Sequence, residues 1–266
     1  MMTRFALFLA LAALAASPAL AADPFASDWS ASSKSRVRLI ADGAGGAGVE
    51  IELAPGAITY WRDPGDSGLP PSFDFGGSSN VAATEVAFPA PTRIAEPDGS
   101  IANGYREAVI FPILVSPTTA SQQSTLRLTI NYAVCEKICL PAHAALTLDL
   151  PRGVSGPHAG ALAAARAQVP AVLSASDLGA EATATEPRNW RLCFAADARG
   201  ARQAFVEAPS GYWLTVKAEP VGSGPECFAL ALRDAPAEAM GPIQIHVTLV
   251  GAARAVETAV TLAAKK

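Results

Sequence analysis

The sequence has few basic residues and few side chains that bind metals. Its 20 lysines and arginines are outnumbered by 24 aspartates and glutamates, which gives a formal net charge of -4. A nucleic-acid-binding protein needs a basic face that displaces counterions from phosphates, so this charge argues against that class. Three histidines, three methionines and four cysteines leave few ligands for an elaborate metal centre, and we expect none.

Long apolar segments are also missing beyond the N-terminus, where nothing reaches the roughly 20 residues of a membrane-spanning helix. One short apolar run follows Arg4 over residues 5–16, and Ser17 and Pro18 end it. Small residues at 19–21 (ALA) suit a cleavage site. Residues 1–21 therefore predict a secretory signal peptide, and we expect a periplasmic mature chain in which disulfides persist.

Glycine and proline, at 21 residues each, are too frequent for a helical bundle and follow no collagen period. Short alternating runs separated by turn-forming residues instead predict β-strands. About seven such strands within residues 22–155 are typical of an immunoglobulin-like sandwich, with residues 62–79 as a long ordered loop. The predicted strands cover residues 36–40, 49–53, 58–61, 81–88, 107–115, 125–132 and 144–150.

Helical signals are confined to residues 157–178, where an alanine-rich stretch ends at Pro170. Residues 183–187 have the composition of a linker, so we expect a short helical linker over residues 156–187. Further strand-like segments predict a second, smaller, sandwich-like β domain over residues 188–266. These segments are residues 190–195, 203–207, 213–219, 228–232, 243–250 and 256–262. The predicted fold class is therefore mainly β.

Cys135 and Cys139 form a C-x3-C pair between two predicted strands, near the tip of a hairpin. Facing residues in a non-hydrogen-bonded antiparallel pair have Cα atoms about 4.5 Å apart, which a disulfide accepts. A small ring constrains the unfolded chain little, so the geometry suits a reversible redox pair. Two alternatives stay open: a purely structural disulfide, and a thiolate site for Cu(I) or Zn(II), for which the spacing is poor.

Charged residues near this pair act in opposite directions. Lys137 would favour a thiolate, Glu136 would oppose it, and His143 would help if the chain folds back.

Cys193 and Cys227 each lie in a strand-like run of the second domain, 34 residues apart. A cross-link over such a loop stabilises by roughly 3 to 4 kcal/mol in the chain-entropy model. We therefore predict a structural disulfide, with a second redox pair as the alternative.

The chain resembles the periplasmic N-terminal region of DsbD/ScsB-type protein-disulfide reductases, and the ScsB-like branch most closely. The resemblance is carried by residues 60–71 (YWRDPGDSGLPP), 88–91 (FPAP) and 131–141 (NYAVCEKICLP). It extends weakly into the second domain through residues 205–209 and 247–251.

This resemblance implies a domain without a cofactor that relays reducing equivalents. Electrons would come from a membrane or thioredoxin-like reductant and pass to periplasmic thiol proteins. Cys135 and Cys139 match the redox cysteines of the family, whose more C-terminal cysteine forms the intermolecular bond, so Cys139 would attack and Cys135 resolve. The cap loop that covers the disulfide in the DsbD branch corresponds to residues 96–105.

Tyr60, Arg62 and Tyr132 are candidates for shaping the site, with simple packing as the alternative. Full-length family members continue into a transmembrane electron-transfer domain and a thioredoxin-like domain, which these 266 residues lack. We therefore expect a chain that works with a separate partner or is a binding-only relative. Two other functions stay open: a non-catalytic interaction module with structural disulfides, and a copper-handling protein.

Overall fold

A computed structural model describes residues 23–96, 99–195, 200–219, 226–237, 241–251 and 254–263. The predicted signal peptide, residues 1–21, lies outside these ranges. Within them, no helix is both long and apolar enough to cross a bilayer.

The first domain is an immunoglobulin-like sandwich of two antiparallel sheets. One sheet has the strand order β1-β2-β3-β9-β6, and the other has the order β11-β10-β4-β8-β7, with β5 pairing to β10. The strands are β1 (Ser30–Ala31), β2 (Ser35–Ala41), β3 (Ala47–Leu53), β4 (Ile58–Gly65), β5 (Ser72–Asp74), β6 (Ala83–Val86), β7 (Thr92–Ala95), β8 (Ile101–Arg106), β9 (Ala108–Ser116), β10 (Thr125–Cys135) and β11 (Cys139–Asp149).

Alternation builds the core of this sandwich, because successive side chains of a strand point to opposite faces. In β11 every second residue from Ala142 to Leu148 is buried and the residues between them are exposed. The region expected as one long loop, residues 62–79, differs from the prediction: β4 continues to Gly65, and β5 pairs with β10. Its glycines, prolines and aspartates conceal these short strands from a pattern search.

The second domain also consists of two sheets, with the strand orders β12-β19-β18-β15 and β13-β14-β17-β16. The six strands expected here are all present, within a few residues of the predicted bounds. The elements are α1 (Ala159–Gln168), β12 (Ala171–Val172), β13 (Ala180–Glu186), β14 (Asn189–Phe194), β15 (Ala201–Glu207), β16 (Trp213–Ala218), β17 (Glu226–Asp234), β18 (Ile243–Gly251) and β19 (Val256–Leu262).

The expected helical linker is only partly a linker. Its helix is α1, which buries Leu162 and whose Arg166 donates a hydrogen bond to Asp42 of the first domain (2.9 Å). Residues 183–187, however, are mostly strand, since β13 runs to Glu186 and pairs with β14. Small alanines alternating with threonine and glutamate give a weak strand pattern, and packing against the second core decides the outcome.

The two domains meet through a shared apolar contact and a group of charges. Trp61 is fully buried in the first core and packs edge-to-face against Phe205 of β15, with ring centroids 5.8 Å apart. The neighbouring Arg62 forms ion pairs with Glu207 (2.7 Å) and Glu257 (2.5 Å) of the second domain. The interface thus begins one residue after Tyr60 on β4.

Candidate functional site

Strands β10 and β11 form a long hairpin whose tip carries the first cysteine pair. Their register is unbroken from Thr125 opposite Asp149 to Cys135 opposite Cys139. The last two residues have Cα atoms 4.0 Å apart and are joined by a disulfide. The strands are longer than predicted and include the cysteines themselves, so the pair closes the hairpin directly at its turn.

The two sulfur-bearing residues differ in their access to solvent. Cys135 is only 3% exposed and packs with Ile58, Tyr60 and Ala133, whereas Cys139 is exposed. Ile138, beside Cys139, is 73% exposed. An incoming thiol can therefore reach the Cys139 side of the disulfide first.

Tyr60 connects β4 to the disulfide. Ile58 pairs with Cys135 across β4 and β10, which brings Tyr60, two residues further on, to the same face. Its hydroxyl donates a hydrogen bond to Cys135 Sγ at 2.8 Å and lies 3.5 Å from Cys139 Sγ. The side chain is fully buried, so the hydroxyl is held against the sulfurs in a region of low dielectric.

Two short segments cover Tyr60. The first is residues 65–69, the second is residue 96 together with residues 99–101, and we call the two segments the cover. Glu96 joins them: its carboxylate accepts hydrogen bonds from Ser67 and from Ser100 (3.0 Å), and it lies 3.5 Å from the Tyr60 hydroxyl. Asp66 and Ile101 add two backbone-directed bonds between the segments, each of 3.0 Å. Only part of the expected cap, residues 96–105, takes part: residues 97–98 lie outside the described ranges, and residues 102–105 belong to β8.

Gly68 allows the first cover segment to pack directly against the tyrosine ring. Its φ is +90°, and an added Cβ would lie 2.2 Å from the ring atoms of Tyr60. From its sequence this segment was expected to be part of a loop, without a function of its own. Its Asp-Ser-Gly sequence signals a turn but does not reveal which side chain it covers.

Charge near the pair comes mainly from the hairpin turn. Glu136 forms an ion pair with Lys34 (2.8 Å), and this hydrogen bond and charge lower the pKa of Glu136. Because Lys34 neutralises it, Glu136 opposes a thiolate less than the sequence suggests. His143 does not approach the sulfurs. It lies four residues after Cys139 on β11, about 13 Å along the strand, and its ring forms a hydrogen bond with Asn131 (2.8 Å).

The three residues proposed to shape the site have different positions. Tyr60 contacts the disulfide, as described above. Tyr132 lies three residues from Cys135 and thus on the opposite face, where its hydroxyl bonds the Ser35 hydroxyl (2.8 Å) and burial raises its pKa. Arg62 faces the second domain.

The second cysteine pair joins two central strands of the second domain. Cys193 of β14 lies opposite Cys227 of β17, with Cα atoms 4.1 Å apart, and the two are disulfide-bonded. Among the described residues, no group of three or more histidine, cysteine, aspartate or glutamate side chains is placed to hold a metal ion.

The first domain matches a known protein family. Residues 27–151 match the family described as thiol:disulfide interchange protein DsbD, N-terminal. No curated protein matches the chain.

Among solved structures, the N-terminal periplasmic domain of ScsB from Proteus mirabilis matches with a TM-score of 0.71 and 19% identity, covering 92% of this chain and all of that one. Extracellular cadherin domains 1–4 of protocadherin gamma B7 match with a TM-score of 0.20 and 12% identity, covering 67% of this chain and 39% of that one. The second value is too low to indicate a common fold. The first shows that the two-domain β architecture recurs in the ScsB domain. Residues 27–151, nearly the whole first domain, match the DsbD N-terminal family.

Proposed function

We propose that the chain is a periplasmic thiol–disulfide exchange protein that relays reducing equivalents through Cys135 and Cys139. A membrane or thioredoxin-like protein would supply the electrons, and a periplasmic thiol protein would receive them. The observation that carries the proposal is the asymmetry of the pair: Cys139 is exposed, and Cys135 is buried under the Tyr60 hydroxyl.

This asymmetry assigns the two cysteines different steps. In the reduced protein, the Cys139 thiolate attacks a disulfide of the partner, forming a mixed disulfide and expelling one partner thiolate, which takes up a proton. The Cys135 thiolate then attacks Cys139 Sγ and expels the second partner thiolate. Two electrons have moved to the partner, and the Cys135–Cys139 bond has formed. Exchange in reverse with an upstream dithiol regenerates the reduced pair.

Tyr60 supports the second step. Its hydroxyl is close enough to both sulfurs to donate to either, and a hydrogen bond to an ionised group is stronger than one to a neutral group. Donation to Cys135 therefore favours the thiolate that resolves the mixed disulfide. We propose that Cys193 and Cys227, by contrast, form a structural disulfide that stabilises the second domain.

Residues 1–21 support the proposed location, since their sequence has the features of a cleaved signal peptide. A disulfide relay also requires a compartment in which disulfides persist, and the periplasm is one.

The reduction potential of each cysteine pair tests the proposal. The mature protein is equilibrated in glutathione buffers, thiols are trapped, and both pairs are quantified by mass spectrometry, with circular dichroism to follow the fold. We expect a reduction potential between about -200 and -280 mV for Cys135–Cys139, with the fold retained, and one below about -300 mV for Cys193–Cys227. A value below about -300 mV for Cys135–Cys139, or unfolding on its reduction, would leave a disulfide-stabilised binding module.

A further inference from the structure

We propose that the groove between the two domains is a second docking site for the redox partner, and that it binds a partner segment carrying an apolar side chain next to a basic one. This inference rests on the proposed function, because it concerns the protein that exchanges disulfides at Cys139. It gives the second domain a direct part in partner recognition.

Exposed apolar side chains are concentrated on this side of the molecule. Seven large apolar side chains are exposed in the described part of the chain. Four of them lie beside the disulfide, on the cover or in the groove: Leu69, Ile101, Ile138 and Trp213. Apolar groups clustered on a surface mark interaction sites, whereas scattered ones need no explanation.

The groove has one wall from each domain. The first domain contributes Arg93, Ile101 and Asn103, and the second contributes Tyr212 and Trp213 at the start of β16. Trp213 is 55% exposed, which is unusual for a residue of this size and typical of the aromatic anchors of binding sites.

A continuous path of contacts links this groove to the reactive sulfur. Cys139 lies next to Tyr60, Tyr60 packs under Gly68, and the same cover segment includes Asp66. Asp66 lines the groove and is bonded to Ile101, which lines it too. The cover thus lies between Cys139 and the groove, so a partner bound at Cys139 would contact the groove by extending across the cover.

Charge in and beneath the groove favours a basic ligand. Arg62 and Arg93 face four carboxylates in this region, those of Asp63, Asp66, Glu207 and Glu257. At the rim, Arg233, bonded to Thr215, is balanced by Asp234, the strand partner of Trp213, so two negative charges remain. Burial raises the pKa of Asp63 most, and the negative charge of Glu207 raises it further. A hydrogen bond from the Gly65 N–H and the positive charge of Arg62 lower it, but the net shift is upward. A lysine or arginine of the partner would relieve this surplus, and an acidic segment would be repelled.

The test uses Cys135→Ser, in which the exposed Cys139 is the single thiol of its pair and needs no reductant. The probes are synthetic cysteine peptides activated with thionitrobenzoate, each joined by glycine-serine linkers of graded length to a Phe-Lys, a Phe-Glu or a Ser-Ser end. Release of thionitrobenzoate gives the rate, and mass spectrometry confirms Cys139 as the site. Glutathione activated in the same way has neither linker nor dipeptide end, and it measures the reactivity of Cys139 alone.

We expect the Phe-Lys peptide to react about fivefold or more faster than the Ser-Ser peptide at one linker length, and the Phe-Glu peptide to show no such advantage. Trp213→Ala should remove most of the advantage. Leu114→Ala is the matched control, because Leu114 is another exposed large apolar side chain (66% exposed, against 55% for Trp213) and lies on β9, away from the groove. Rates with activated glutathione should be unchanged by Trp213→Ala and by Leu114→Ala.

The outcomes separate this inference from the proposed function. If Cys139 reacts with activated glutathione but the peptides show no ranking, or if the ranking survives Trp213→Ala, the groove is not a docking site and the relay stands. If Cys139 does not react even with glutathione, the relay itself fails. A dimer in sedimentation that is abolished by Trp213→Ala would mean that a second copy occupies the groove, which also overturns the inference.

Discussion

At the scale of single residues, Tyr60 is the polar side chain in contact with the buried cysteine. Its hydroxyl lies 2.8 Å from Cys135 Sγ and 3.5 Å from the carboxylate of Glu96. A donor fixed in this position stabilises a thiolate more than a disulfide sulfur, since the hydrogen bond strengthens when the acceptor is charged. Tyr60 therefore favours the reduced, ionised form of Cys135.

Tyr60→Phe should raise the pKa of the Cys135 thiol by about one unit, because a hydrogen bond to a charged group contributes about 1.5–3 kcal/mol and one pKa unit equals about 1.4 kcal/mol. The measurement is the pH titration of thiolate absorbance in Cys139→Ser, with and without the second substitution.

Tyr132→Phe is the control for this experiment. It also removes a buried hydroxyl from the same hairpin, but that hydroxyl bonds Ser35 on the opposite face of the sheet. An equal pKa rise in both variants would mean that Tyr60 acts through the general packing of the hairpin.

At the scale of elements, the two disulfides close rings of very different size. The two cysteines of the hairpin pair are four positions apart in the sequence, and those of the β14–β17 pair are 34 positions apart. In the chain-entropy model these rings stabilise the fold by about 2 and about 4 kcal/mol. The smaller gain suits a bond that is broken and formed repeatedly.

Replacing both cysteines of a pair by alanine tests this difference. We expect Cys193→Ala/Cys227→Ala to lower the free energy of unfolding by about 2 kcal/mol more than Cys135→Ala/Cys139→Ala does. The measurement is urea denaturation of each double variant. A larger loss at the hairpin would identify Cys135–Cys139 as the more important staple.

The cover depends on the conformation of one glycine. Gly68→Ala places a methyl group against the ring of Tyr60 in backbone with φ +90°, so the segment must move away from the tyrosine. We expect the disulfide to be reduced faster by glutathione, and the free energy of unfolding to fall by about 1–3 kcal/mol.

Gly153→Ala provides the comparison for this variant. Gly153 has φ +80°, but an added Cβ meets nothing within 4 Å. It should show a similar backbone cost without faster reduction. If both variants are reduced equally fast, the cover does not control access to the disulfide.

At the scale of the whole molecule, consecutive residues of β4 serve both domains. Tyr60 touches the disulfide, Trp61 packs on Phe205, and Arg62 binds two glutamates of the second domain. The guanidinium also stacks on the Trp61 ring, 4.5 Å from its centroid. The tyrosine contact to the disulfide and the domain interface are thus built on one strand.

Arg62→Ala should lower the free energy of unfolding by about 2 kcal/mol, because it leaves two partly buried carboxylates without their cation. Arg36→Ala is the matched control. Arg36 also pairs with a glutamate, Glu52, and stacks on a tryptophan, but the pair is more exposed, and we expect a loss below about 1 kcal/mol. Equal losses, measured by thermal and urea denaturation, would show that the Arg62 pairs contribute no more than a surface salt bridge.

Much of this architecture could be predicted from the sequence. The alternating segments 125–132 and 144–150 on either side of the cysteines predicted the hairpin. The six strand segments after residue 188 were found as short, largely apolar runs, of which residues 243–249 (IQIHVTL) alternate most clearly. β13 was missed because alanine packs like a core residue there but has no β propensity. The cover was missed because a turn sequence predicts a loop and not what the loop covers.

The sequence by itself determined most of the strands, the helix, the placing of the cysteines in two pairs and the resemblance of the first domain, since alternation, turn residues and motif spacing are local. Only the tertiary structure decided which side chains meet. Glu96 reaches Tyr60 across 36 residues, and Arg62 reaches Glu207 and Glu257 across 145 and 195. Burial, hydrogen-bond partners and electrostatic surroundings depend on these long-range contacts, and a pattern in the chain cannot encode them one residue at a time.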